Sequence, residues 1–177
     1  MDKKSFESSA LSEASSTAQS CQAMAEGGDA EMQFNLGLKH ASARLPAQDY
    51  AKAEQWYLRA AAQNHPLAQF NLAMMYAHGQ GGPCDWEKAS VWLQKAADLG
   101  DAGAQYQMGV NDHRAAVSGG NVDVLQSKIN AWKWFRLAAL QGYQAAEIAG
   151  DVVTMGMTRE DVLEAGRRVE AFNAEGE

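Results

Sequence analysis

A phrase that repeats along the chain constrains the possible fold more than any other feature of the sequence. A tryptophan that precedes a pair of alanines occurs at Trp56, Trp92 and Trp134, at intervals of 36 and 42 residues. Two further markers share this register: a Gln-aromatic phrase at Gln33, Gln69 and Gln105, and a residue suited to a left-handed turn at Gly28, Asn64, Gly100 and Gly142. Periods of roughly 20–50 residues indicate a solenoid or a propeller rather than a single layered core.

Each repeat contains the signals for two helices. In the second repeat, Pro66 suits the first position of a helix, and the following apolar residues have helical spacing. The segment 79–83 is rich in glycine and predicts a turn, after which Asp85 can cap a second helix that Gly100 ends. The third repeat has six extra residues around 116–124, which predict a longer loop between its helices.

The repeats predict one all-α domain with atypical ends. We expect a repeat domain over residues 20–173, preceded by a mobile tail or weak cap over residues 1–19. Its full units are predicted at about 29–64, 65–100 and 101–142, with a partial capping unit at each end. Thr158 and Asp161 have the spacing of a loose capping box at the start of a closing helix.

The second repeat resembles the Sel-one-like repeat of the tetratricopeptide-like superfamily. The positions that match the pattern of that family are Ala68, Gln69, Leu72, Tyr76, Gly79, Gly81, Asp85, Lys88, Ala89, Trp92, Lys95, Ala96, Ala97 and Gly100. The first and third repeats match less fully, because His40 and Asp112 stand where the family has tyrosine. The resemblance implies a right-handed α/α solenoid of helix-turn-helix repeats and, since the family consists of adaptor scaffolds, a role in protein interaction.

Composition excludes several classes of partner. The chain has 22 acidic and 15 basic residues, for a formal net charge of −7, whereas phosphate backbones are bound by clustered Lys and Arg. No apolar run approaches the roughly 20 residues of a membrane-spanning helix, and the segment 1–4 leads into serine-rich sequence without a signal peptide. We therefore expect a cytoplasmic monomer that binds neither nucleic acid nor membranes, with Cys21 and Cys84 unpaired.

The resemblance also implies which residues line a groove. First-type helices line the concave side in tetratricopeptide-like proteins, and three rows of equivalent positions then fall there. These rows are Leu38, Met74 and Val110; Ser42, His78 and Arg114; and Ala41, Ala77 and His113. The apolar row is predicted to bind a protein segment and Arg114 to anchor an acidic group, although ordinary packing between helices explains the row equally well.

Two tryptophans lie outside the repeated phrase. Trp86 follows a cap and is interpreted, like the equivalent Tyr50, as a staple against the neighbouring unit. Trp132 has no counterpart in the other repeats and becomes a candidate contact residue if it is exposed. The tryptophans of the repeated phrase are predicted to pack in the core, because they recur with alanines at helical spacing.

The sequence contains no constellation that is typical of catalysis or metal binding. It has no P-loop, no nucleophile elbow and no histidine pair at the spacing of a zinc motif. We expect no catalytic residue, no metal and no cofactor. The predicted function is a non-catalytic adaptor that binds a protein or peptide in the groove. The alternatives are a secreted-type small-molecule binder or hydrolase related to cell walls, and a structural protein that self-assembles through the ends of its solenoid.

Overall fold

A computed structural model describes residues 19–42, 49–118 and 123–175 of the chain. Every regular element within these ranges is a helix, which confirms the all-α prediction. In chain order the helices are α1 (19–26), α2 (Ala30–Ser42), α3 (Tyr50–Ala61), α4 (Pro66–His78), α5 (Trp86–Asp98), α6 (Ala102–Ser118), α7 (Val124–Leu140), α8 (Gln144–Thr154) and α9 (Arg159–Glu175). The predicted tail lies outside the described residues, apart from residue 19.

The helices form two compact units, Met1–Ala89 and Ser90–Glu177, and the boundary falls within α5. In the N-terminal unit α2 packs on α3, and α3 packs on α4. In the C-terminal unit α6 packs on α7, which also contacts α8 and α9. The strongest packing in each unit therefore joins the two helices of one predicted repeat.

The helices begin and end where the capping residues of the sequence predict. The Asp85 carboxylate accepts from the Lys88 amide at 3.0 Å, and the Asp101 carboxylate accepts from the Ala104 amide at 2.7 Å. The residues Gly28, Asn64, Gly100 and Gly142 all have the positive φ angles that the repeat register predicts. At Thr158 the predicted capping box is confirmed, since the Thr158 amide donates to Asp161 and the Asp161 amide donates to the Thr158 hydroxyl.

The insertion in the third repeat lengthens both helices of the pair, so the predicted longer loop is wrong. Helices α6 and α7 each have 17 residues, whereas α4 and α5 have 13. Because α6 continues to Ser118 and α7 begins at Val124, both ends of the inserted stretch are helical, and residues 119–122 lie outside the described ranges. Asp123 caps α7 by accepting from the amides of Leu125 and Gln126.

A glycine faces an aromatic ring where the two helices of a pair approach most closely. A Cβ atom added to Gly37 on α2 would lie 2.5 Å from the ring of Tyr57 on α3. In the C-terminal unit, a Cβ added to Gly109 on α6 would lie 2.6 Å from the ring of Phe135 on α7. Real Cβ atoms do not approach rings this closely, so the glycines allow each pair of helices to pack at its observed distance.

The same aromatic arrangement surrounds these rings in both units. Phe34 stacks on His65, with ring centroids 4.7 Å apart, and also contacts Tyr57. At the equivalent positions of the C-terminal unit, Tyr106 stacks on Tyr143 at 4.8 Å and contacts Phe135. The first residue after a repeat thus covers the aromatic side chain of the repeat before it.

The tryptophans of the repeated phrase differ in burial. Trp134 is buried, at 4% exposure, and meets Phe172 edge-on at 5.6 Å. Trp56 and Trp92 are only half-buried, and their open ring faces are covered by the charged ends of Arg59 and Lys95 at 4.6 and 4.4 Å from the ring centroids. The core-packing prediction is therefore confirmed for Trp134 and only partly for the other two.

Three buried glutamines tie each first helix to the end of the preceding helix. The Nε2 atoms of Gln33, Gln69 and Gln105 donate to the carbonyl oxygens eight residues earlier, which belong to Ala25, Ala61 and Ala97. These carbonyls lie at helix C-termini, where backbone acceptors lack intrahelical partners. Each of these carbonyls also accepts from the amide of the left-handed turn residue three positions later, so the glutamine provides its second donor.

The acceptor oxygens of two of these glutamines receive a second hydrogen bond. The Nε2 atom of Gln63 donates to Gln33 Oε1, and that of Gln141 donates to Gln105 Oε1, both at 2.9 Å. The equivalent position after the second repeat is Leu99, which has no donor in its side chain. The buried Oε1 of Gln69 accordingly has no hydrogen-bond partner among the described residues.

We expect Gly109→Ala to destabilise the protein by about 1–3 kcal/mol, because the new methyl group overlaps the Phe135 ring. The second repeat carries Ala73 and Leu93 at the equivalent positions, so Phe135→Leu should relieve the overlap. A double-mutant cycle by urea denaturation checks this prediction. Strictly additive effects of the two substitutions would contradict it.

We expect Gln141→Leu to cost about 1 kcal/mol of stability, because it leaves the buried Gln105 Oε1 without a donor. Gln107→Leu is the control, since Gln107 bonds only Asn111 one turn further along the same helix. Urea denaturation of both variants measures the difference. Equal losses in the two variants would show that the bond to Gln105 has no special value.

Candidate functional site

Two residues of the predicted apolar row line one cleft of the N-terminal unit. Leu38 on α2 is 37% exposed and Met74 on α4 is half-buried, and both border a cavity of about 220 Å³. The other residues that line this apolar cleft are Ala41, Ser42, Tyr50, Tyr57, Asn71, Met75 and Gln80. The structure therefore brings together residues from all three predicted rows, on the first-type helices of successive repeats.

The polar groups of the apolar cleft are already engaged in internal interactions. The Ser42 hydroxyl donates to the Leu38 carbonyl at 2.6 Å, as serines do when they bond back along a helix. Burial raises the pKa of Tyr57, and a hydrogen bond with Asn71 only partly opposes this shift. The phenol is therefore neutral at physiological pH. The cleft offers apolar surface with amides at its edge, which suits a side chain better than a chemical step.

The remaining candidates from the groove rows are dispersed. His78 on α4 is exposed and does not line the apolar cleft. Within the C-terminal unit, Val110 and Trp132 are half-buried and pack against the cluster around Phe135. Arg114 is exposed, whereas His113 is half-buried and its Nδ1 has no hydrogen-bond partner within the described ranges.

A second cleft follows the glycine-rich turn after α4, and sequence reasoning missed it. This cleft has a volume of about 550 Å³ and is bordered by Trp86. Because the Trp86 side chain is 68% exposed, the prediction that it packs as a staple against the neighbouring unit is wrong. At its wall the Tyr76 hydroxyl donates to Glu54 at 2.5 Å. Burial is the main cause that raises the pKa of Tyr76, followed by the hydrogen bond to Glu54. An exposed tryptophan directly after a cap is the signal that could have indicated this surface.

The described residues hold no group of three His, Cys, Asp or Glu side chains that could bind a metal ion. Cys21 and Cys84 are free and exposed. No described helix combines the length and the apolar character that crossing a membrane would require.

The C-terminal unit contains one carboxyl group with a strongly shifted pKa. Burial raises the pKa of Asp112 to about 6, and the positive charge of Lys133 only partly opposes this shift. Burial in turn lowers the pKa of Lys133, whose ammonium lies 3.6 Å from the centroid of the Trp134 ring. Lys133 is held by this ring and by Phe172 at 5.3 Å.

We expect the contribution of Asp112 to stability to fall as the pH rises from about 4 to about 6. In this window Asp112 binds more protons in the native protein than in the unfolded chain, because burial raises its pKa on folding. Asp112→Asn should therefore increase the melting temperature at about pH 7 and change it little at about pH 4. Thermal unfolding followed by circular dichroism measures both profiles. Asp151→Asn, at an exposed position of α8, is the control, and parallel profiles for Asp112→Asn and wild type would contradict the prediction.

Comparison with known proteins agrees with the repeated geometry. A family model described as Sel1 repeat matches residues 30–65, 66–101 and 102–143. No curated protein matches the chain.

Two solved structures are similar to most of this chain. A protective antigen from uropathogenic Escherichia coli that displays an SLR fold shares 28% identity at a TM-score of 0.68, over 84% of this chain and 30% of the antigen. A Sel1 repeat protein from Oxalobacter formigenes shares 28% identity at a TM-score of 0.63, over 76% of this chain and 97% of that protein. This chain thus spans less than a third of the antigen and nearly all of the second protein. With three matched repeats over more than half of its length, the chain belongs to the Sel1 repeat family.

Proposed function

We propose that this protein is a non-catalytic interaction adaptor that holds a segment of a partner polypeptide in the apolar cleft. The observation that carries the proposal is the convergence of Leu38 and Met74 from successive repeats on one open cavity. Sel1 repeats generally mediate protein–protein interaction, which supports the same function. Val110 belongs to the C-terminal unit, and its role as a groove residue remains a prediction.

The size and chemistry of the cleft favour a protein side chain over a small molecule. Its volume of about 220 Å³ is below the roughly 300–1,000 Å³ of typical ligand pockets. Leucine and methionine at the rim provide an apolar and adaptable surface, and Gln80 adds a side-chain amide to the lining of the cleft. An apolar side chain flanked by main-chain hydrogen bonds is a common mode of peptide recognition.

The alternative of a secreted hydrolase or cell-wall binder gains no support from this cleft. The titratable groups that line it are two phenols, Tyr50 and Tyr57, and burial keeps the Tyr57 phenol neutral. A nucleophile needs a neighbouring base or a lowered pKa, and the pKa of Tyr57 is raised. We further propose a reducing, cytoplasmic location, which is compatible with the free and exposed thiols of Cys21 and Cys84.

Replacement of the two rim residues tests the proposal. We expect Leu38→Ser with Met74→Ser to weaken retention of a defined partner by about tenfold, because the apolar contact of both side chains is lost. Affinity purification from native lysate, followed by titration of the purified partner, provides the measurement. Circular dichroism confirms that the double variant is folded.

The matched control replaces two exposed valines outside the cleft, Val91→Ser and Val117→Ser. This variant loses a similar amount of exposed apolar surface and should retain the partner. If the folded Leu38 and Met74 variant binds the partner as tightly as this control, the apolar cleft is not the docking site.

A further inference from the structure

A cleft with a different chemistry lies between α1, α2 and α3. Its volume is about 440 Å³, and its basic side chains are Lys39, His40, Lys52 and Arg59, with Trp56 beside them. The other lining residues are Gln22, Leu36 and Gln55. No carboxylate lines this basic cleft among the described residues, although the whole chain has a net charge of −7.

The cations of the basic cleft retain capacity for an external anion. Lys39 and Arg59 are exposed and form no ion pair with any described residue. Arg59 instead lies over the Trp56 ring at 4.6 Å, which fixes the position of its guanidinium and leaves its donors open. Lys52 is the exception, since it pairs with the capping carboxylate of Asp49 at 3.1 Å.

From this arrangement we propose that the basic cleft binds an acidic polypeptide segment, with Lys39 and Arg59 as the anchors for its carboxylates. Guanidinium groups that an aromatic ring holds in place are well suited to carboxylate recognition. Gln55 provides an amide group for the peptide backbone and Trp56 provides an apolar contact, whereas the Gln22 amide already donates to Glu26 at 3.0 Å. A positive cleft on an acidic protein also steers acidic segments towards this one surface.

A polypeptide fits the cleft better than a nucleic acid. Nucleic-acid sites extend along a continuous row of basic residues that follows several phosphates. Here the cations are confined to one cleft of about 440 Å³, and the rest of the chain has an excess of negative charge that repels a longer polyanion. A few acidic residues within a peptide match these dimensions.

This site is separate from the apolar cleft of the proposed function. The two clefts share no lining residue, although α2 contributes to both of them. Leu38, Ala41 and Ser42 line the apolar cleft, whereas Lys39 and His40 line the basic cleft. An experiment that disproves binding at one cleft therefore does not disprove binding at the other.

Fluorescence anisotropy with a labelled hexaglutamate peptide tests the proposal on the full chain. We expect binding that weakens as salt rises, and a loss of about tenfold in affinity for Lys39→Glu with Arg59→Glu. Hexalysine should not bind. If the wild-type protein fails to bind hexaglutamate at low salt, or the double variant binds it equally well, the proposal is wrong.

The control variant is Lys95→Glu with Arg136→Glu, which makes the same change in charge at two exposed residues of the C-terminal unit. Lys95 is also the repeat equivalent of Arg59 and lies over Trp92, so the control removes a similar cation–π contact. This variant should bind hexaglutamate like the wild type. If the Lys39 and Arg59 variant fails to fold, Lys39→Gln with Arg59→Gln replaces it, with the same expected direction.

Two further probes separate the occupants of the cleft. A short single-stranded oligothymidylate that binds as tightly as hexaglutamate and competes with it would assign the cleft to nucleic acid and overturn the proposal. The Leu38→Ser and Met74→Ser variant should bind hexaglutamate normally. A loss in that variant would show that the peptide binds in the apolar cleft instead.

Discussion

The distance between the paired helices is the constraint on which the rest of each repeat depends. Gly37 opposite Tyr57 and Gly109 opposite Phe135 allow the helices to approach until a ring lies against bare backbone. At that distance the neighbouring aromatic side chains stack on the residue that opens the next repeat, as Phe34 does on His65. A larger residue at the glycine position would separate the helices and open this cluster, because cores at native density do not absorb an added methyl group freely.

Buried glutamine amides join consecutive helix pairs, in addition to the close packing within each pair. Each first helix carries a glutamine that bonds a carbonyl at the end of the preceding helix, so consecutive helix pairs are joined through hydrogen bonds as well as apolar contacts. The residues that carry the fold are thus small, aromatic or amide-bearing in the first and third repeats, whereas the second repeat has Leu93 and Leu99 at the ring and amide positions. The other positions are free to vary.

The period of the sequence predicted the helix pairs, their caps and their left-handed turns, because these features depend on local backbone chemistry at positions such as Asp85 and Gly100. It did not predict the extension of α6 to Ser118, since a six-residue insertion is compatible with a loop or with longer helices until side chains are packed. It predicted that Leu38 and Met74 are neighbours, because equivalent positions of stacked repeats lie side by side. It missed the basic cleft, because its residues come from three helices and are brought together only when those helices pack.

One repeat position shows how a constant scaffold supports different surfaces. Residue 40 and its equivalents, 76 and 112, are histidine, tyrosine and aspartate, all at the same place on a first-type helix. His40 adds a side chain to the basic cleft, Tyr76 donates its hydroxyl to Glu54, and Asp112 is a carboxyl whose pKa burial raises to about 6. The helix pair tolerates all three because the small residue that faces the partner helix lies three residues earlier, at Gly37, Ala73 and Gly109. A scaffold whose packing residues and surface residues alternate so regularly can change its binding chemistry from one repeat to the next without a change of fold.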